Sequence, residues 1–207
     1  MLPWNEYVKI IIALIVIIDP LGAIPIFVSL TADQGDRERK HTAYIASLSV
    51  SIILVISCLV GEWILRLFGI SIDSFRVGGG ILLLLMSIAM MHAKGSAAKH
   101  TDSEDEEAHG KEHIAVVPLA IPLLAGPGAI SLAIIYAERM TGVLNTGLLL
   151  VSCLVVGFLM WGSLRLALPI SRVLGRTGIN IATRIMGLVL AAISIEFIAS
   201  GAKALMK

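Results

Sequence analysis

Apolar residues run along this chain in six long blocks, at roughly 8–30, 42–64, 77–93, 114–137, 143–164 and 185–204. Charged and polar residues gather between them. A helix needs about 20 mostly apolar residues to cross about 30 Å of hydrocarbon. Most blocks reach that length, and the third is completed by its flanks. The pattern predicts six transmembrane helices in an all-α, polytopic membrane protein.

Two blocks are interrupted from within. The first contains LIVIIDPLGAIPIF (14–27), which sets Asp19 near its centre. An acid at mid-bilayer costs roughly 2.5–3.5 kcal/mol on insertion scales, so it must face protein or water, find a partner or be protonated. Pro20 and Pro25 each remove a backbone donor and clash with the preceding turn, and Gly22 adds freedom between them. The helix is expected to kink or unwind around 19–25, leaving backbone groups for water, an ion or a substrate to satisfy. The fourth block, VVPLAIPLLAGPGAIS (116–131), repeats the device with Pro118, Pro122, Gly126, Pro127 and Gly128. A single proline in a membrane helix often only shapes packing. Paired breaks at related positions point to a binding site.

The breaks are related because the chain repeats itself. LGAIPIF (21–27) resembles PGAISLA (127–133), and FGISIDSFRVGGGILLL (68–84) resembles TGINIATRIMGLVLAAI (177–193). Arg76 falls on Arg184, Gly79 on Gly187, and Ser131 on Pro25. Residues 1–93 and 114–207 each hold three spans, joined by a polar, acidic linker at 94–113. Three is odd, so the second half must enter the membrane from the opposite face. An inverted repeat of this kind is common in transporters, with the substrate near the midplane where the halves meet. Broken there, two half-helices offer N–H groups to a carboxylate and C=O groups to an ammonium. That combination suits a small zwitterion, and Ser131 adds a hydroxyl.

Glu196 is the second intramembrane acid, placed by the pattern near the middle of the sixth span. It and Asp19 are candidates to carry a proton or bind an ammonium; the plainer reading of Glu196 is a hydrogen-bonded structural acid. Arg76 and Arg184 open the third and sixth spans, where interfacial anchoring explains each and a symmetric gate is the sharper alternative. VGGGI (77–81) reads as a close-packing face.

Composition narrows the function further. The chain is 57% hydrophobic and 15% charged, with a net charge of +1, which offers no field for nucleic acid. His92, His100, His109 and His113 fit no compact metal-ligand spacing, and all five histidines fall in loops or at helix ends. No metal, no cofactor and no enzymatic machinery is expected. Cys58 and Cys153 lie in apolar blocks and read as buried free thiols. The start, MLPWNEYVK, lacks the basic region and cleavage site of a secretory signal, so the first span is expected to be retained. Six Lys/Arg fall on the side of the N-terminus and ten on the other. The positive-inside rule then places both termini outside.

DPLGAIPIF and VPLAIPLLAGPGAIS, with GISIDSFRVGGGIL and TGINIATRIMGL, resemble the signatures of the MarC family of bacterial inner-membrane proteins, in order and over nearly the whole chain. The resemblance implies six spans with outward termini. It also implies transport of small neutral amino acids such as glycine, alanine, serine or threonine, in some members driven by protons. Carried over by motif, the implied functional positions are Asp19, Pro20, Gly22, Pro25, Pro122, Gly126, Pro127 and Gly128. The competing readings are efflux of drugs or other small solutes, and a membrane scaffold. A drug pocket wants aromatic lining, and aromatics are only 5% of the chain. Small amino acids and the lipid bilayer are the expected partners, and an oligomer is left open.

Overall fold

In a computed structural model, residues 4–92, 125–140 and 142–206 are described. They form seven helices and no strand: α1 (Trp4–Ile18), α2 (Ile24–Leu30), α3 (Asp36–Leu67), α4 (Ile72–Met91), α5 (Pro127–Arg139), α6 (Val143–Arg165) and α7 (Ala167–Leu205). The expected linker at 94–113, and the start of the second half through Pro122, lie outside the described residues. Four helices, α3, α4, α6 and α7, are long and apolar enough to cross a membrane. They cover the second, third, fifth and sixth apolar blocks. The first block is divided between α1 and α2, neither long enough to cross alone, and of the fourth only the part from α5 onward is described.

The long helices pair antiparallel through small residues. On α7, the inward stripe Ile179, Thr183, Gly187, Leu190, Ser194, Phe197 and Gly201 recurs every three or four residues, which is one helix face. Three approaches set its register against α4. A Cβ added to Gly201 would meet the Asp73 carbonyl at 2.8 Å, one on Gly80 the Ser194 carbonyl at 3.0 Å, and one on Gly187 the Ser87 carbonyl at 3.0 Å. Among lipid tails, which are as apolar as Leu, helices associate through such van der Waals fit rather than by escaping water. α3 and α6 are joined similarly: a Cβ on Gly157 would overlap the Ser51 hydroxyl, and Cys58 Sγ lies 3.8 Å from Cys153 Sγ. Both cysteines are buried free thiols.

The short helices form the centre. On α1, Tyr7, Ile10, Ala13, Leu14 and 16–18 are all buried, and on α5 burial is nearly continuous from Gly128 to Tyr136. The long helices instead turn Leu59, Leu85, Leu154, Phe158, Leu188 and Ile195 outward, the surface a bilayer would solvate. α7 is interrupted once, at Gly175, where φ is +60°, a conformation that costs glycine little. The part of α7 after that break is therefore longer than the sixth apolar block.

Candidate functional site

The first break is complete. α1 stops at Ile18 and α2 starts at Ile24. Asp19 stands between them at φ +48° among the described residues' few left-handed positions, and it is the one non-glycine there. Asp and Asn tolerate this region because their short side chains bond locally. Here the Gly22 N–H donates to Asp19 Oδ1 at 3.1 Å, and the Ala23 N–H donates to the Asp19 carbonyl at 3.1 Å. The turn is held by the acid it contains. Pro25 falls in the first turn of α2, where a missing N–H costs nothing, so it starts a helix instead of kinking one. Pro20 is buried, while Gly22 and Pro25 are half-buried.

Asp19 is 3% exposed, and its environment crosses between the halves. A Cβ built on Gly22 would collide with the Asp19 carboxylate and lie 2.9 Å from Thr183 Oγ1 of α7. Carboxylate and hydroxyl thus crowd the same point. Thr183 is 6% exposed, and its hydroxyl is buried with no hydrogen-bond partner among the described residues. A buried donor left unmade typically costs about 1–3 kcal/mol. An unpartnered hydroxyl beside a buried carboxylate is therefore a place where a polar ligand gains more than it would on a satisfied surface.

At the second expected break the described residues begin with Ala125, so the start of a helix is seen and what precedes it lies outside them. Gly126 caps α5 and Pro127 begins it. The cap carbonyl of Gly126 accepts from Ala129 N–H at 2.9 Å and Ile130 N–H at 3.2 Å. Gly126 is half-buried and Pro127 exposed. Gly128 faces Met86 Sδ, Ile17 Cδ1 and Leu83 Cδ2, which places it against the residue two before Asp19. Each of these segments thus packs on a long helix of the other half, Gly22 on α7 and Gly128 on α4. Ser131 is 7% exposed and its Cβ lies 3.2 Å from one built on Gly79. Pro122 lies outside the described residues.

The structure does not bring Glu196 to Asp19. Glu196 is exposed, on the face of α7 away from Ser194 and α4. Thirteen residues separate it from Thr183, roughly 20 Å of helix. Arg76 and Arg184 also part company. Arg76 has a side chain only 12% exposed and binds Asp73 at 3.2 Å and Glu138 at 3.1 Å, the latter joining α4 to α5. Arg184 is exposed. The residue that inspection of the sequence missed is Thr183. Its only signal was its place one residue before Arg184 in the repeated segment.

The family model for the MarC family of integral membrane proteins matches residues 4–206. Among curated relatives, the chain is 45% identical over 197 residues to the UPF0056 membrane protein YhcE of Escherichia coli, covering 95% of this chain and 92% of that one. It is 43% identical to the UPF0056 membrane protein BU267 of Buchnera aphidicola, over 94% of this chain and 91% of that one. It is 37% identical to the UPF0056 membrane protein PH0760 of Pyrococcus horikoshii, over 90% and 89%. No solved structure matches the chain. The chain belongs to the MarC family, and it is a multi-pass membrane protein.

Proposed function

We propose that this MarC family protein is a secondary transporter of small neutral amino acids such as glycine, alanine, serine or threonine. It is built as two inverted three-span repeats in a bacterial inner membrane, with both termini outside. It is not an enzyme, and an ion or substrate gradient drives it. The observation that carries the reading is the buried Asp19 carboxylate set against the unpartnered Thr183 hydroxyl, at a helix break, where the two halves meet. In this reading Asp19 takes the ammonium or a proton. Thr183 donates to the substrate carboxylate or to a water beside it. The small residues Gly22, Gly126 and Gly128 admit only a small side chain. The antiparallel registers of α4 with α7 and of α3 with α6 support the inverted repeat, as does the exchange by which each broken segment packs on the other half. Rocking of one half against the other would expose the break to each side in turn.

Glu196 has no part in the binding step in this reading, because it is exposed and roughly 20 Å along α7 from Thr183. The test is flux of radiolabelled alanine and glycine into liposomes holding the purified protein, with and without a pH gradient, for the native chain and Asp19→Asn. Protein-dependent flux that responds to the gradient and collapses in the variant is expected. Absence of flux for either amino acid from a folded protein contradicts the substrate assignment.

A further inference from the structure

Outside the central site, a groove of about 310 Å3 opens between α3 and α6, lined by Tyr44, Leu48, Ser51, Gly157, Phe158 and Trp161. Its walls are almost wholly apolar. The Ser51 hydroxyl donates to the Ser47 carbonyl at 3.1 Å, so it presents no free polar group. Tyr44, Leu48 and Phe158 are exposed. The volume lies at the low end of clefts that hold small molecules, about 300–1,000 Å3.

One end of the groove is cationic. α3 and α6 run antiparallel, with Ser51 against Gly157. The same register carries the start of α3 and the end of α6 to one end of the bundle. Lys40 precedes Tyr44 by one turn, and Arg37 precedes Lys40 by nearly one more, so both share the face that lines the groove. Arg165 follows Trp161 by one turn and stands over its indole, 5.7 Å from the ring centroid. Arg37, Lys40 and Arg165 are exposed, and none of the three makes an ion pair among the described residues. Of the acids of this end, Asp33 lies before α3 and Glu38 on its far side, while Asp36 stands one turn before Lys40 without pairing to it among the described residues. The charge count places this end on the cytoplasmic side.

We propose that this groove is a binding site for an anionic phospholipid, one acyl chain lying between Tyr44, Leu48 and Phe158 and the phosphate held by Lys40 and Arg165. An ordinary neutral lipid satisfies the apolar walls but leaves the cations at the mouth uncompensated; an anionic headgroup satisfies both. Basic clusters beside membrane helices on the cytoplasmic side favour anionic lipids in this way. Trp and Tyr at headgroup depth fit the same position. The proposal does not depend on what the protein carries.

The chain has three tryptophans, so Trp4→Phe with Trp63→Phe leaves Trp161 as a reporter in the groove. Bilayers would mix unlabelled phosphatidylcholine with brominated phosphatidylglycerol or brominated phosphatidylcholine, and quenching would be followed against mole fraction. Half-maximal quenching is expected at a mole fraction at least about fivefold lower for the anionic lipid. Lys40→Gln with Arg165→Gln is expected to bring the two lipids level, while Arg66→Gln, at the opposite end of α3, leaves the preference intact. Equal quenching by both lipids in the native groove would overturn the proposal. So would protection of Trp161 from both, which would mean a second copy of the chain covers it. Size-exclusion profiles of each variant separate loss of the preference from loss of the fold.

Discussion

The glycine- and proline-bearing starts of α2 and α5 share a local plan and differ in what they meet. Each sets glycine and proline at the start of a short helix, α2 or α5, and each packs on a long helix of the opposite half. The first contains a buried carboxylate in a left-handed turn beside an unpartnered hydroxyl. The second meets Met86, Ile17 and Leu83, an apolar wall. Among the described residues, the polar chemistry stands at the first of these helix starts and the apolar contacts at the second. Arg76 and Arg184 repeat the lesson, since matching positions in the sequence became a paired, mostly buried cation and an exposed one. What the two matching stretches of sequence share is a glycine and a proline at a helix start. What they leave free is which side chains stand opposite.

That contrast fixes the order of several expected effects. Asp19→Asn is expected to lower alanine flux by two orders of magnitude or more, whereas Ser131→Ala at the second break should change it by less than about threefold; initial rates in liposomes would distinguish them. Arg76→Ala removes a mostly buried cation from two carboxylates. Breaking a buried pair costs about 3–5 kcal/mol, and the partial exposure of Asp73 and Glu138 lowers the expectation to about 2–3 kcal/mol. Arg184→Ala should stay within about 0.5 kcal/mol, as exposed substitutions do. Denaturation in mild detergent would compare the pair, and similar costs for both would erase the asymmetry.

Glycine substitutions probe the same difference more finely. At Gly22 the new methyl meets the Asp19 carboxylate, which is tied down by the turn, so Gly22→Ala should cost about 1–3 kcal/mol. At Gly128 it meets the ends of flexible side chains, so Gly128→Ala should cost less than about 1.5 kcal/mol. The smallest effect is expected from cross-linking the long helices. Cys58 and Cys153 lie on α3 and α6, so mild oxidation should join the two halves of a chain cleaved at a protease site inserted between 94 and 113. Thermal stability should change little. Fragments that separate on a non-reducing gel would contradict the α3–α6 register.

Much of the frame was legible in the sequence because membrane helices announce themselves by length and by breakers. The blocks marked α3, α4, α6 and α7, and the run of Asp, Pro and Gly located the gap between Ile18 and Ile24. What was not legible depends on facing. Thr183 is one hydroxyl among many that membrane helices tolerate, and only the approach of Gly22 makes it part of a site. Glu196 looked central because it sits well inside an apolar block. Its height on α7, roughly 20 Å from Thr183, and its exposure are what keep it from Asp19. Pro25 read as a kink, yet a proline is least costly in a first turn, and α2 starts there.

The central claim is that the buried hydroxyl of Thr183 is held without a partner so that substrate can supply one. Thr183→Val keeps the shape and deletes the unpaired group. The most direct measurement is the unfolding temperature of the native chain and of this variant, each with and without saturating alanine. The variant is expected to unfold at a higher temperature than the native chain without alanine, by the equivalent of about 1 kcal/mol, and to lose the upward shift that alanine gives the native chain. A variant that is destabilised, or that keeps the full alanine shift, would contradict the claim.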